Sequence, residues 1–144
     1  MKYRDIEQYD FQLMENVNFP VNMPDNLYDG ESIVCRFITI GDNRLYIAKH
    51  YCWDGSSIPL KKSWRWLFDS DKYCKEASLV HDALCQLIRN GLLPLRYRID
   101  ADKYYQDMCM NYGMPKWQAK LRYRALRMFG GKTVNKTANP IKEV

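Results

Sequence analysis

The stretch ASLVHDALCQLIRNG (77–91), followed by RIDADKYYQDMCMNYG (98–113), decides the fold of the second half of the chain. In both segments apolar residues recur at helical spacing, and each segment ends on a glycine, Gly91 and Gly113. A glycine just past the last periodic residue is a helix stop, because it accepts the left-handed backbone that closes the last turn. The first helix is predicted to begin near Ser70 or Asp71, with Ser70 as its N-cap, and to run to Asn90. Its inward face is Ala77, Val80, Leu84, Leu87 and Ile88. The second helix is predicted over about Ile99–Tyr112, burying Ala101, Tyr105, Met108 and Tyr112. The connection from Gly91 to Tyr97 is short enough to make the two helices antiparallel neighbours. Pro115 suits the first turn of a third helix, Pro115–Phe129, with Trp117, Leu121, Ala125 and Met128 inward. Ser63–Phe68 reads as a short helix or turn, with Trp64 and Trp66 as core in preference to an exposed anchor at an interface.

The first 60 residues read differently. Tyr9–Val17 partly alternates, Ser32–Ile40 is rich in β-branched residues, and Arg44–Tyr51 is a further strand. Gly41-Asp42-Asn43 between two apolar runs signals a tight hairpin. Phe19–Gly30, with two prolines and several Asn and Asp, reads as loop, and His50 as a strand residue without a chemical task. The expectation is an α+β fold: a small N-terminal antiparallel sheet of three or four strands packed on a C-terminal bundle of three main helices. Residues 1–131 are expected to form one domain. Residues 132–144 are expected to form a basic tail that is flexible or ordered by a partner.

The chain has 144 residues, of which 47% are hydrophobic, enough for one folded domain and too apolar for a disordered chain. No apolar run is long enough to cross a membrane as a helix. The start, MKYRDIEQYD, lacks the apolar core of a signal peptide. The expected location is therefore the cytoplasm of the producing cell, or an assembly built there. The five cysteines include no CxxC pair, which argues against a cysteine zinc site and a disulfide framework. Cys74, Cys85 and Cys109 fall in helical segments and read as small buried hydrophobes. Charge is uneven: residues 1–31 carry seven acidic and two basic side chains, and residues 113–144 carry eight basic and one acidic. The basic residues over 116–136 suit a solvated helix face, with phosphate of nucleic acid or lipid as a lesser alternative.

The chemistry concentrates at His81, Asp82 and Asp102. His81 shares a helix side with Ala77, Leu84 and Ile88 and points inward. Asp82 is rotated by about 100° to the edge of that face. Asp102 lies early in the next helix. A carboxylate on one ring nitrogen fixes the tautomer and steadies the imidazolium, leaving the other nitrogen to take a proton from water. His81 and Asp102 are thus the candidate catalytic pair. Asp82 is left to bind a cation, and a hard ion such as calcium needs about six to eight oxygens. The turn Trp53-Asp54-Gly55-Ser56-Ser57 is the candidate source. Trp53 and Gly55 would offer backbone carbonyls to the metal, while Asp54, Ser56 and Ser57 would line the binding site with Tyr105.

Two resemblances follow from these residues. Trp53-Asp54-Gly55-Ser56-Ser57-Ile58-Pro59, Ala77-Ser78-Leu79-Val80-His81-Asp82-Ala83-Leu84 and Arg98-Ile99-Asp100-Ala101-Asp102 resemble the DUF1353 family of phage and prophage proteins, over roughly residues 30–130. That likeness implies a phage origin and brings no activity with it. Locally, 77–113 resembles the core of phospholipases A2, above all the domain carried by parvovirus capsids. By that likeness His81 matches the general base, Asp82 the calcium-binding aspartate and Asp102 the residue that orients the histidine. Tyr105 stands where the family has phenylalanine, and the family's glycine-rich calcium loop has no counterpart. The resemblance implies a calcium-dependent ester hydrolase with phospholipid as substrate. The competing expectation is a virion or accessory binding protein in which the same cluster is structural, with other virion proteins as partners.

Overall fold

The computed structural model describes residues 1–4, 11–21, 32–53 and 71–129, without the side chains of 71–73 and 129. The chain divides into two compact units, Met1–Asp54 and Gly55–Val144. The first holds antiparallel sheets and the second holds three α-helices, so the fold class is α+β.

Seven strands are described in the first unit: β1 (Tyr3–Arg4), β2 (Phe11–Leu13), β3 (Val17–Pro20), β4 (Ile33–Cys35), β5 (Ile38–Gly41), β6 (Arg44–Ile47) and β7 (Cys52–Trp53). They are distributed over two sheets, β1-β2-β7 and β3-β6-β5-β4. The β5–β6 hairpin forms where expected. Gly41 pairs with Arg44, so Asp42 and Asn43 are the whole turn, with φ of 51° and 57°. Positive φ at both positions is the turn geometry whose twist matches a two-residue hairpin, and Asp and Asn tolerate it. A Cβ at Gly41 would collide with the Ser32 side chain.

The strands depart from expectation at several places. Ser32–Ile40 is not one strand. It folds back at Arg36-Phe37, so that Cys35 faces Ile38 across a second hairpin. Phe19 and Pro20 belong to β3 and not to a loop. β3 is an edge strand of its sheet, where a proline's missing N–H costs no central ladder bond. His50 lies in the turn before β7 with φ of 78°, its N–H bonded to the Leu13 carbonyl, and not in a strand. Alternation along β6 buries Leu45 and Ile47 and exposes Arg44 and Tyr46. Those two join Leu13, Val21, Ile38, Ile40, Tyr51 and Trp53 among the buried apolar residues of the unit.

The second unit contains α1 (Asp71–Arg89), a 3₁₀ turn (Leu95–Tyr97), α2 (Arg98–Asn111) and α3 (Lys116–Phe129). Gly91 (φ 75°) and Gly113 (φ 104°) terminate α1 and α2 in the same way. At the first, Leu92 N–H reaches the Leu87 carbonyl and Gly91 N–H the Ile88 carbonyl. At the second, Met114 reaches Cys109 and Gly113 reaches Met110. These paired bonds satisfy carbonyls that the helix leaves open. From Ala77 to Ile88, α1 is buried at every position except Asp82 and Gln86. Among the α1 side chains that are described, Lys75, Asp82, Gln86 and Arg89 recur at intervals of seven, four and three and make a narrow accessible stripe, with Glu76 part-exposed to one side of it. Cys74, Ala77, Tyr105, Cys109, Met114 and Ala119 form a core where the three helices meet.

The phase of α3 differs from the expected one. Trp117, Leu121 and Met128 are exposed, and the buried line is Ala119, Arg122 and Ala125, with Leu126 half-buried. Two sets at helical spacing competed, and the helix packs through its small residues, Ala119 and Ala125, and through a guanidinium that finds a buried partner. Tyr112 is likewise exposed and not in the core; its hydroxyl donates to the Glu76 carboxylate. Ser70, Ser63–Phe68 and the 132–144 tail lie outside the described residues. Among the described residues no helix is long and apolar enough to cross a membrane.

Candidate functional site

The two central residues of the sequence reading meet. His81 lies in the middle of α1, and Asp102 lies in the second turn of α2. The His81 Nε2 to Asp102 Oδ1 distance is 2.7 Å. Asp102 is 1% exposed. A carboxylate accepts only, so Nε2 carries the hydrogen and donates it. In the neutral ring Nδ1 is then the bare nitrogen. It lies 3.8 Å from Oδ1 of Asp82, whose side chain is 33% exposed, while the His81 side chain is 11% exposed. The imidazole is therefore anchored at Nε2, and Nδ1 lies beside the part-exposed carboxylate of Asp82. Tyr105 stands edge-on to the ring, with centroids 5.7 Å apart.

Two residues complete this cluster that the sequence did not single out. Arg127, near the end of α3, donates from Nη1 to Asp102 Oδ2 at 2.8 Å. Both oxygens of one buried carboxylate are thus held, one from α1 and one from α3. Cys85, one turn after His81, places its sulfur 3.7 Å from Nε2 and 3.9 Å from Nδ1. Beneath the cluster, the fully buried Arg122 donates to the Tyr105 hydroxyl at 2.8 Å. The i, i+4 spacing of His81 and Cys85 was the available sign for the cysteine. For Arg127 the sign was its place on the helix that follows the Asp102 helix, masked by the many cations around it.

Burial works against charge on the His81 ring. It is outweighed by the Cys85 sulfur and by the hydrogen bonds of Asp102, Asp82 and Cys85, so that the His81 pKa stands well above 6.5. The arrangement thus favours imidazolium until the pH rises, and the bare Nδ1 becomes available on the alkaline side.

The remaining predicted site residues are placed separately. Trp53 ends β7 and is buried in the first unit beside the rings of Phe11 and Tyr3. Asp54, Gly55, Ser56 and Ser57 lie outside the described residues. Among the described residues no group of three or more His, Cys, Asp or Glu side chains is placed to hold a metal ion. Asp82 is one carboxylate of what a calcium ion requires, and the described residues do not complete the shell.

A family model described as "Protein of unknown function (DUF1353)" matches residues 34–126, more than half of the chain. The chain belongs to the DUF1353 family. The matched region carries His81, Asp82, Cys85, Asp102 and Tyr105, and Arg127 is the next residue after it. No curated protein and no solved structure matches this DUF1353 chain.

Proposed function

We propose that this DUF1353 protein is an ester hydrolase in which His81 activates water and Asp102 positions it. The observation that carries this reading is the 2.7 Å bond from His81 Nε2 to a carboxylate with both oxygens engaged, on a ring whose other nitrogen lies 3.8 Å from the part-exposed Asp82. Asp102 fixes the tautomer and stabilises the imidazolium formed when Nδ1 takes the proton. Arg127 holds Asp102 in place. The hydroxide so generated attacks the ester carbonyl, and the proton passes from Nδ1 to the leaving alkoxide. The substrate class is phospholipid, by the likeness of 77–113 to phospholipases A2. Asp82 is the residue that would hold calcium, which when bound supplies a positive charge for the developing oxyanion. We place the activity in a phage virion or in the cytoplasm of its host.

The test is fatty-acid release by the purified full chain from phospholipid vesicles, with calcium and with chelator. Wild-type activity should fall about 10²- to 10⁴-fold in His81→Asn, the usual weight of a general base. No release from any phospholipid with calcium present would end the lipase reading.

A second reading has one observation in its favour. Asp102 ties α1 to α3 from within α2, which is what a structural clamp does. In that case the protein is a non-enzymatic virion or accessory binding component, and His81→Asn lowers stability while there is no turnover to lose.

A further inference from the structure

The outer face of α3 combines two properties that an isolated folded unit does not need. Over Lys116–Phe129 the helix has five basic residues and no acidic one. Trp117, Leu121 and Met128 are 58%, 38% and 72% exposed. At about 100° per residue, Trp117, Leu121, Arg124 and Met128 fall within about 60° of one another, one continuous stripe along the helix. Lys116 and Lys120 flank that stripe on one side and are exposed. The opposite face, Ala119, Arg122 and Leu126, is the packed one.

We propose that this outer face of α3 is a docking surface for an anionic phospholipid bilayer. The charge selects the occupant: an all-cationic helix is complementary to acidic headgroups. The apolar stripe selects a bilayer over a nucleic acid. Leucine and methionine gain by entering an acyl boundary, and tryptophan settles at headgroup depth, whereas phosphate backbones offer them nothing comparable. The same helix carries Arg127, whose guanidinium holds Asp102, so that a surface docked on α3 lies against a helix that is part of the His81 site. The docking surface rests on the proposed lipid hydrolysis for its purpose only, and its test is independent of turnover.

The experiment is co-sedimentation of the full chain with vesicles of ether-linked phosphatidylcholine, with and without ether-linked phosphatidylglycerol. Such lipids bind without being hydrolysed, so a failure of catalysis leaves the measurement unaffected. Binding should be at least about ten-fold stronger with the anionic lipid, and fall about five-fold for each of Lys120→Gln and Arg124→Gln. Trp117→Ala should weaken binding about ten-fold with an unchanged melting temperature, since the ring is exposed. Equal partition onto both vesicles, or variants that bind like wild type, would overturn the proposal. So would retention on DNA that the same substitutions abolish while vesicles are ignored. A fall in melting temperature for Trp117→Ala, or loss of a dimer in that variant, would show the face already covered and also overturn it.

Discussion

Raising the pH above 6.5 is expected to weaken the helical unit through a single ring. In the fold the His81 pKa stands well above 6.5 because Cys85, Asp102 and Asp82 outweigh the cost of burial. In the unfolded chain the ring returns to about 6.5. Below that value both states are protonated and the stabilisation is fully present. Between the two values the folded state holds up to one proton more than the unfolded one. Stability then falls with pH at a slope of up to about 1.4 kcal/mol per pH unit, and the contribution is gone once the pH exceeds the folded value. His81 is nearly buried, so solvent screening takes little from this figure. The assay is urea unfolding, followed by helical circular dichroism, in a pH series from about 6 to 9 for wild type and His81→Gln. The difference between the two proteins isolates the ring from every other titrating group. That difference is expected to shrink as the pH rises. A flat difference, or one that grows with pH, would refute the reasoning, because it would mean that burial dominates and the ring is neutral in the fold.

The other predictions concern the partners of that ring. Asp102→Ala strands a buried imidazole and Arg127 and should cost about 3–5 kcal/mol. A double-mutant cycle of Asp102→Asn with Arg127→Met should show clear coupling in denaturant unfolding, and additivity would refute the ion pair. Tyr105→Phe removes the hydroxyl that accepts from the buried Arg122 and should cost about 1.5–3 kcal/mol, read from the thermal midpoint. In the ester assay, the rate should rise with pH on the alkaline side of 6.5, since His81 must lose its proton to act as a base. A rate that falls over that range would remove His81 from the base role.

What the sequence makes legible depends on how local the deciding physics is. Gly91, Gly113 and the Asp42-Asn43 turn were readable because positive φ is a demand on a single residue, and few residue types meet it. The hairpin at Arg36-Phe37 was not, because neither residue carries a turn signature and Phe37 reads as one more strand residue. The meeting of His81 with Asp102 was readable because a short connection forces α1 and α2 side by side. The phase of α3 was not. Trp117, Leu121 and Met128 form as good a helical stripe as Ala119, Arg122 and Ala125, and the choice fell to packing against Tyr105 and Asp102, which α3 alone does not encode. Arg122 and Arg127 then looked like two more solvated cations, although one is fully buried and the other half-buried in an ion pair.

The two readings of the site divide over the two nitrogens of one ring. A clamp needs only Nε2: Asp102 joins His81 to Arg127, three helices are tied, and whatever faces Nδ1 is immaterial. A base needs Nδ1 as well, facing water and able to release its proton near working pH. The raised pKa of His81 serves the clamp directly, because imidazolium is the form that binds Asp102 most strongly. For the base it is a handicap, and Arg127, which competes for the same carboxylate, is expected to lessen it. A carboxylate shared with a guanidinium exerts less pull on the imidazolium than one left to His81 alone. Removing Arg127 should therefore raise the His81 pKa further. An enzyme would then show an alkaline shift in its pH–rate profile, whereas a clamp would show only a loss of stability. Arg127→Gln, read by the NMR titration of the His81 ring together with the rate profile, separates a residue that tunes a base from one that merely fastens a helix.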